Sequence, residues 1–114
     1  MDSTSDFKMF EVFLSYSHND ENLAKTLTDD FRIAGKSVFR DADSIRAGKK
    51  WRLEIFTAIE KCRMMMIIWC KHAADSREVM SEYKTGMRMS KDIVPLIVDS
   101  TPLPSALAEY QYLD

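Results

Sequence analysis

Glycine and proline are scarce in this 114-residue chain, three of each, and cysteine and histidine are scarcer at two of each. Each shortage excludes something. Glycines at 35, 48 and 86 stand too far apart to build a glycine-rich phosphate loop, so neither a dinucleotide fingerprint nor a P-loop is present. No GxSxG elbow occurs for a serine hydrolase. His18 and His72 with Cys62 and Cys70 match no usual zinc spacing, so no metal site is expected. The two cysteines read as the ends of one strand, which would hold them about 26 Å apart at about 3.3 Å per residue. That is beyond disulfide reach, and a cytoplasmic location is the expectation. Charge of one sign is lacking as well: 16 basic residues face 18 acidic ones, with no block longer than a pair. Nucleic acid and membrane surfaces are therefore not expected partners. The longest apolar run, Met64 to Cys70, is seven residues, far below the roughly 20 of a membrane helix. The opening MDSTSDFK shows no apolar export segment.

Against these absences, 46% of positions are hydrophobic and 30% charged, ordinary values for one domain with a core of its own. Residues 1–8 read as a polar lead-in and 9–114 as the domain. Phe10 to Tyr16 is aromatic and β-branched, followed by the turn and cap residues Ser17 to Asp20. Leu23, Leu27, Phe31 and Ala34 make one helical face, closed by Gly35 at the left-handed position. Ser37 to Arg40 is a short strand, 41–48 a polar loop, and Trp51, Ile55, Ala58 and Ile59 mark a second helix. Arg63 to Cys70 has no polar alternation, as in a strand covered on both faces. A third helix, capped by Asp75 or Ser76, runs to Met89 with Val79, Tyr83 and Met87 inward. Ile93 to Val98 is the last strand, and its Pro95 points to an edge or a bulge. This βαβαβαβ order predicts a parallel sheet in an α/β sandwich, with the ligand site beyond the carboxyl ends of the strands.

Chemistry in those segments is sparse. A phosphoacceptor receiver needs acids after the first and third strands, where this chain has Ser15-Tyr16-Ser17 and Lys71-His72. Glu78 and Glu82 lie four residues apart on one helix face. They form either a carboxylate pair poised at a cleft or, with Asp75, a capping arrangement and a solvated helix residue. Ser15, Tyr16 and Ser17 either donate hydrogen bonds to a ligand or merely finish the strand. Trp69 is core or an aromatic platform; Met64 to Met66 read as packing.

Taken together, three segments resemble the Toll/interleukin-1 receptor (TIR) domain family. FEVFLSYSHND is similar to its first-strand motif, and GKSVFRDADSIRAGKKW to its second strand and BB loop. SREVMSE is similar to its third-helix pattern, a serine followed six residues later by a glutamate. DIVPLIVDSTPLP and YQYLD resemble its fourth and fifth strands. The resemblance implies a flavodoxin-like three-layer sandwich with a central parallel sheet. Set against the family's usual length, the chain would lack the last helix, leaving part of one sheet face bare.

The resemblance also implies one of two functions. The first is cleavage of the nicotinamide-ribose bond of NAD+, giving ADP-ribose or a cyclic isomer, in immune or antiphage signalling. There Glu82 takes the catalytic position, and the ligand shell is Tyr16, Ser17, Asp41, Ser44, Arg46 and Gly48. NAD+ is substrate in that reading, and no separate cofactor is implied. Enzymatic members often carry a tryptophan four residues before the glutamate. Here Glu78 stands in that place, which leaves Trp51 or Trp69 to offer a stacking surface. The second function is a non-catalytic adaptor acting through contacts between TIR domains. Both imply self-assembly through the loop Asp41 to Lys50, and Glu82 in register favours the enzyme.

Overall fold

The computed structural model describes residues 9–40 and 51–113. Strand β1 (Phe10–Ser15) leads through a 3-10 turn (His18–Asp20) into helix α1 (Glu21–Ile33) and strand β2 (Val38–Arg40). Helix α2 (Trp51–Lys61), strand β3 (Cys62–Trp69), the short helix α3 (Lys71–Ala74), helix α4 (Arg77–Arg88) and strand β4 (Asp92–Ile97) follow. The four strands form one parallel sheet in the order β2-β1-β3-β4. Helix α3 occupies Lys71 to Ala74, a stretch to which the sequence assigns no element. YQYLD is a correction, since no fifth strand forms among the described residues. Leu113 makes one parallel bridge to Leu96.

Alternation along β1 sorts the core into two layers, because successive strand side chains point to opposite faces. Val12, Leu14 and Tyr16 pack with Ala24 of α1, Val38, Met66 and Ile68. Phe13 packs with Ile55 and Ile59 of α2, Met65 and Ile67 of β3, and Val79 and Tyr83 of α4. Fully buried Ile59, Ile67, Val79 and Leu107 each contribute about 1.5–3 kcal/mol of transfer free energy. β3 is buried throughout its second half, as its unbroken apolar run requires. On the α1 side cover is thinner over β4, where Val94 and Leu96 are half-buried and Val98 is 43% exposed.

Pro95 sits where a missing N–H costs nothing. Its register partner on β3 is Ile67, yet its carbonyl points outward and accepts from Leu113 N at 2.9 Å. Residues of that parity face the sheet's outer edge, so no β3 ladder bond is lost.

Two helices end in the same motif with different residues. After α1, Gly35 adopts φ +83°, Lys36 N donates to Phe31 O and Gly35 N to Arg32 O. After α4, Ser90 takes the same left-handed place at φ 58°, with Lys91 N donating to Gly86 O and Ser90 N to Met87 O. Left-handed backbone costs a residue with a Cβ about 1 kcal/mol more than glycine. Ser90→Gly is therefore expected to raise the thermal midpoint by a few degrees, and Gly35→Ala to lower it by a similar amount. Differential scanning calorimetry of the two variants checks both signs.

Candidate active site

Glu82 is the one buried acidic side chain among the described residues, 4% exposed, and it lies on the α2-α4 side of the sheet. Helix α4 puts it there by simple periodicity. Ser76 caps the helix by accepting from Val79 N at 3.1 Å, and Val79, Glu82, Tyr83 and Gly86 then form the inward face. Of the two cap candidates, Ser76 is thus the one used, and Asp75 stands outside the helix. Ser15, the last residue of β1 and fully buried, donates from Oγ to Glu82 Oε1 at 2.7 Å. A buried carboxylate is tolerable only with such partners.

Above this pair the α2 and α4 helices part to leave a cleft of about 470 Å³. Arg52, Ile55, Phe56 and Ile59 line it from α2; Arg77, Glu78, Ser81, Glu82 and Thr85 line it from α4. Ile55 and Ile59 are buried, whereas Phe56 remains 46% exposed beside the opening. The arrangement sets one carboxylate, anchored by a strand hydroxyl, at the wall of a cavity that also carries an aromatic ring, two guanidiniums and a second carboxylate.

The other sequence-derived site residues divide sharply. Glu78 joins Glu82 in the cleft, exposed at its rim. Tyr16 does not line it: strand alternation turns the ring into the α1 layer, where its hydroxyl donates to Glu21 Oε1 at 2.9 Å. Glu21 also receives Arg40 Nη1 at 2.8 Å. Ser17 caps the 3-10 turn by accepting from Asn19 N at 3.3 Å. Trp69 is 3% exposed, edge-on to Tyr83, with its indole N–H donated to Pro102 O at 3.1 Å. It ties the chain after β4 to the core and offers no platform to the cleft. Asp41, Ser44, Arg46 and Gly48 lie outside the described residues, as does the side chain of Trp51. Arg52, Phe56, Arg77 and Ser81 carry no sequence signal for the site, because only the packing of α2 against α4 brings them together. Ser15, a hydrogen-bond donor by residue type, commits its hydroxyl to Glu82.

At the carboxyl edge of the sheet the remaining polar groups hold loops. Asp99 accepts from Lys71 N at 3.0 Å and from Thr101 N at 2.9 Å, and these backbone donors hold its carboxyl below the usual range. Cys70 Sγ donates to Asp20 Oδ2 at 2.8 Å. Both cysteines are free and buried, and burial pushes each thiol up, helped at Cys70 by the Asp20 carboxylate. Burial raises the Tyr83 phenol too. A raised folded-state value leaves stability intact below the ordinary thiol range and erodes it above, because the unfolded chain then releases protons that the folded chain retains. The urea midpoint is accordingly expected to fall between about pH 8 and pH 10, where free thiols and phenols ionise. Thiol alkylation at about pH 8 should need prior unfolding; a flat midpoint or rapid labelling of native protein contradicts this.

A parallel sheet in this strand order, with helices on both faces and its candidate site in an interhelical cleft, defines a flavodoxin-like α/β domain. The family model for the TIR domain matches residues 12–114, and the chain belongs to that family. A relative from Brachypodium distachyon, named "Probable 2' cyclic ADP-D-ribose synthase BdTIR", is 29% identical over 106 residues, covering 88% of this chain and 47% of its own length. The chain thus spans about half of that curated relative. Among solved structures, the TIR domain of the Toll-related receptor TRR-2 from Hydra magnipapillata superimposes with a TM-score of 0.83 at 20% identity, covering 93% of this chain and 84% of that one. The TIR domains of the activated Roq1 resistosome, which directly recognises the pathogen effector XopQ, give 0.71 at 23% identity, covering 82% and 60%. These two likenesses establish the fold. Among the described residues no helix is long and apolar enough to cross a membrane.

Proposed function

We propose that this domain cleaves the nicotinamide-ribose bond of NAD+, with Glu82 as the catalytic residue. The observation that carries the reading is the buried Glu82 carboxylate, held by Ser15 at 2.7 Å at the wall of the α2-α4 cleft. The name of the Brachypodium relative supports the substrate class.

Breaking this bond leaves positive charge spread over the ribose C1′ and ring oxygen, the oxocarbenium-like state that glycosidases also face. A fixed carboxylate beside the ribose hydroxyls stabilises that charge and has no reorganisation to complete during the reaction. The leaving group starts as a cationic pyridinium and departs as neutral nicotinamide, so no general acid need protonate it. One carboxylate is therefore enough. Water at C1′ then gives ADP-ribose, and an internal nucleophile gives a cyclic isomer, each with release of one proton to solvent. We assign self-assembly to the loop at 41–50 as the condition for activity, the loop completing a neighbour's site.

Incubation of concentrated protein with NAD+, followed by chromatography, tests the reading. Nicotinamide and an ADP-ribose product should appear in equal amounts; protein that assembles while NAD+ stays intact would establish the adaptor function instead.

A further inference from the structure

The α2-α4 cleft carries charges of both signs, with Glu78 beside Arg77 in the first turn of α4 and Glu82 about one turn further in. In a parallel sheet every crossover helix runs back from the carboxyl edge, so α2 and α4 run side by side in the same direction. Arg52 in the first turn of α2 and Arg77 at the start of α4 therefore mark one end of the cleft, at the carboxyl edge of the sheet. About one turn further along lie Phe56 and Glu82; Ile59 and Thr85 lie beyond them.

We propose that Arg52 and Arg77 are specificity-determining residues that read the phosphate next to the nicotinamide ribose, while Phe56 supplies the surface on which the ring stacks. This rests on Glu82 acting at the ribose. A wholly anionic ligand would meet Glu78 and Glu82, and a wholly cationic one would meet the two arginines. A ligand with its phosphate at the end where Arg52 and Arg77 outnumber Glu78, and a positive ring toward Glu82, satisfies both signs. Guanidinium is suited to the anionic end, because its fork of donors matches phosphate geometry. Phe56 is suited to the ring: it is 46% exposed where its neighbours Ile55 and Ile59 are buried, and an aromatic face attracts a pyridinium. It takes the stacking role that Trp69, committed to Tyr83 and Pro102, does not fill.

The test uses two probes that differ only in that phosphate, nicotinamide riboside and nicotinamide mononucleotide. Both are titrated by NMR into Glu82→Gln protein so that neither is consumed. The mononucleotide is expected to bind about tenfold tighter than the riboside, the scale of one charge-assisted contact. Arg52→Met with Arg77→Met should erase that advantage and leave the riboside unchanged. Phe56→Leu should weaken both probes equally, by about two- to fivefold. Arg52 and Arg77 are exposed, so the double variant should fold, which circular dichroism checks. Equal binding of the two probes, binding of neither, or an advantage that survives the double variant overturns the proposal. Wild-type turnover of NAD+ is scored separately. Phosphate reading without turnover would defeat the Glu82 mechanism and leave the two arginines in the role proposed here.

Discussion

Glu82→Gln is expected to keep the fold and lose about 100- to 1000-fold in NAD+ turnover, the usual loss when one preorganised charge is removed from a reacting centre. Glutamine has the same shape, and its amide oxygen can still accept from Ser15 Oγ, the contact that spans 2.7 Å in the native protein. What disappears is the negative charge facing the developing oxocarbenium. A buried neutral amide is also less costly than a buried carboxylate, so the thermal midpoint should hold or rise. Steady-state rates and calorimetry on the same preparation separate the two effects. A variant that turns over NAD+ at the wild-type rate would remove Glu82 from the chemistry.

Ser15→Ala is the second large effect, and it acts through position. The hydroxyl is fully buried and reaches Glu82 across 67 residues of sequence, joining the end of β1 to the inner face of α4. Its loss leaves the buried carboxylate with one donor fewer, which should cost about 1–3 kcal/mol of stability. With its aim loosened, the carboxylate should also serve the transition state less well, lowering kcat about tenfold, the scale of 1.4 kcal/mol. KM should change little, because Ser15 touches the carboxylate from behind and does not line the cleft. Denaturant titration checks the first figure. A raised KM at unchanged kcat would instead place Ser15 in substrate binding.

The elements were legible in the chain because their local signals agree with their tertiary settings. Leu23, Leu27 and Phe31 make a helix stripe that lies on the sheet, Gly35 sits at the left-handed position, and Ser76 caps α4. Pro95 does lie in an edge-proximal strand. Helix α3 was hidden because four residues carry too little periodicity to register. Ser90 was hidden because a serine at φ 58° bears no mark that a glycine would have left.

The site was less legible than the fold. Glu82 and Glu78 emerge from helical spacing and from resemblance. The partner of Glu82 does not, because strand alternation in FEVFLSY puts Ser15 on the face of Glu11 and Phe13 but does not say which helix covers that face. That choice of cover decides which side chain meets α4 and which meets α1. Trp69 shows the same limit: a large aromatic at a strand's carboxyl end reads as core before platform, and the contacts to Tyr83 and Pro102 place it in the core. Arg52 and Phe56 belong to a cleft made by two helices distant in sequence, a juxtaposition that no local pattern encodes.

The measurement closest to the central claim is nicotinamide release from NAD+ by wild-type and Glu82→Gln protein, compared at equal concentration and equal assembly by light scattering. The account predicts stoichiometric nicotinamide from the wild type and a rate lower by about 100-fold or more from the variant. Equal release from both, or none above background from assembled wild-type protein, would contradict it.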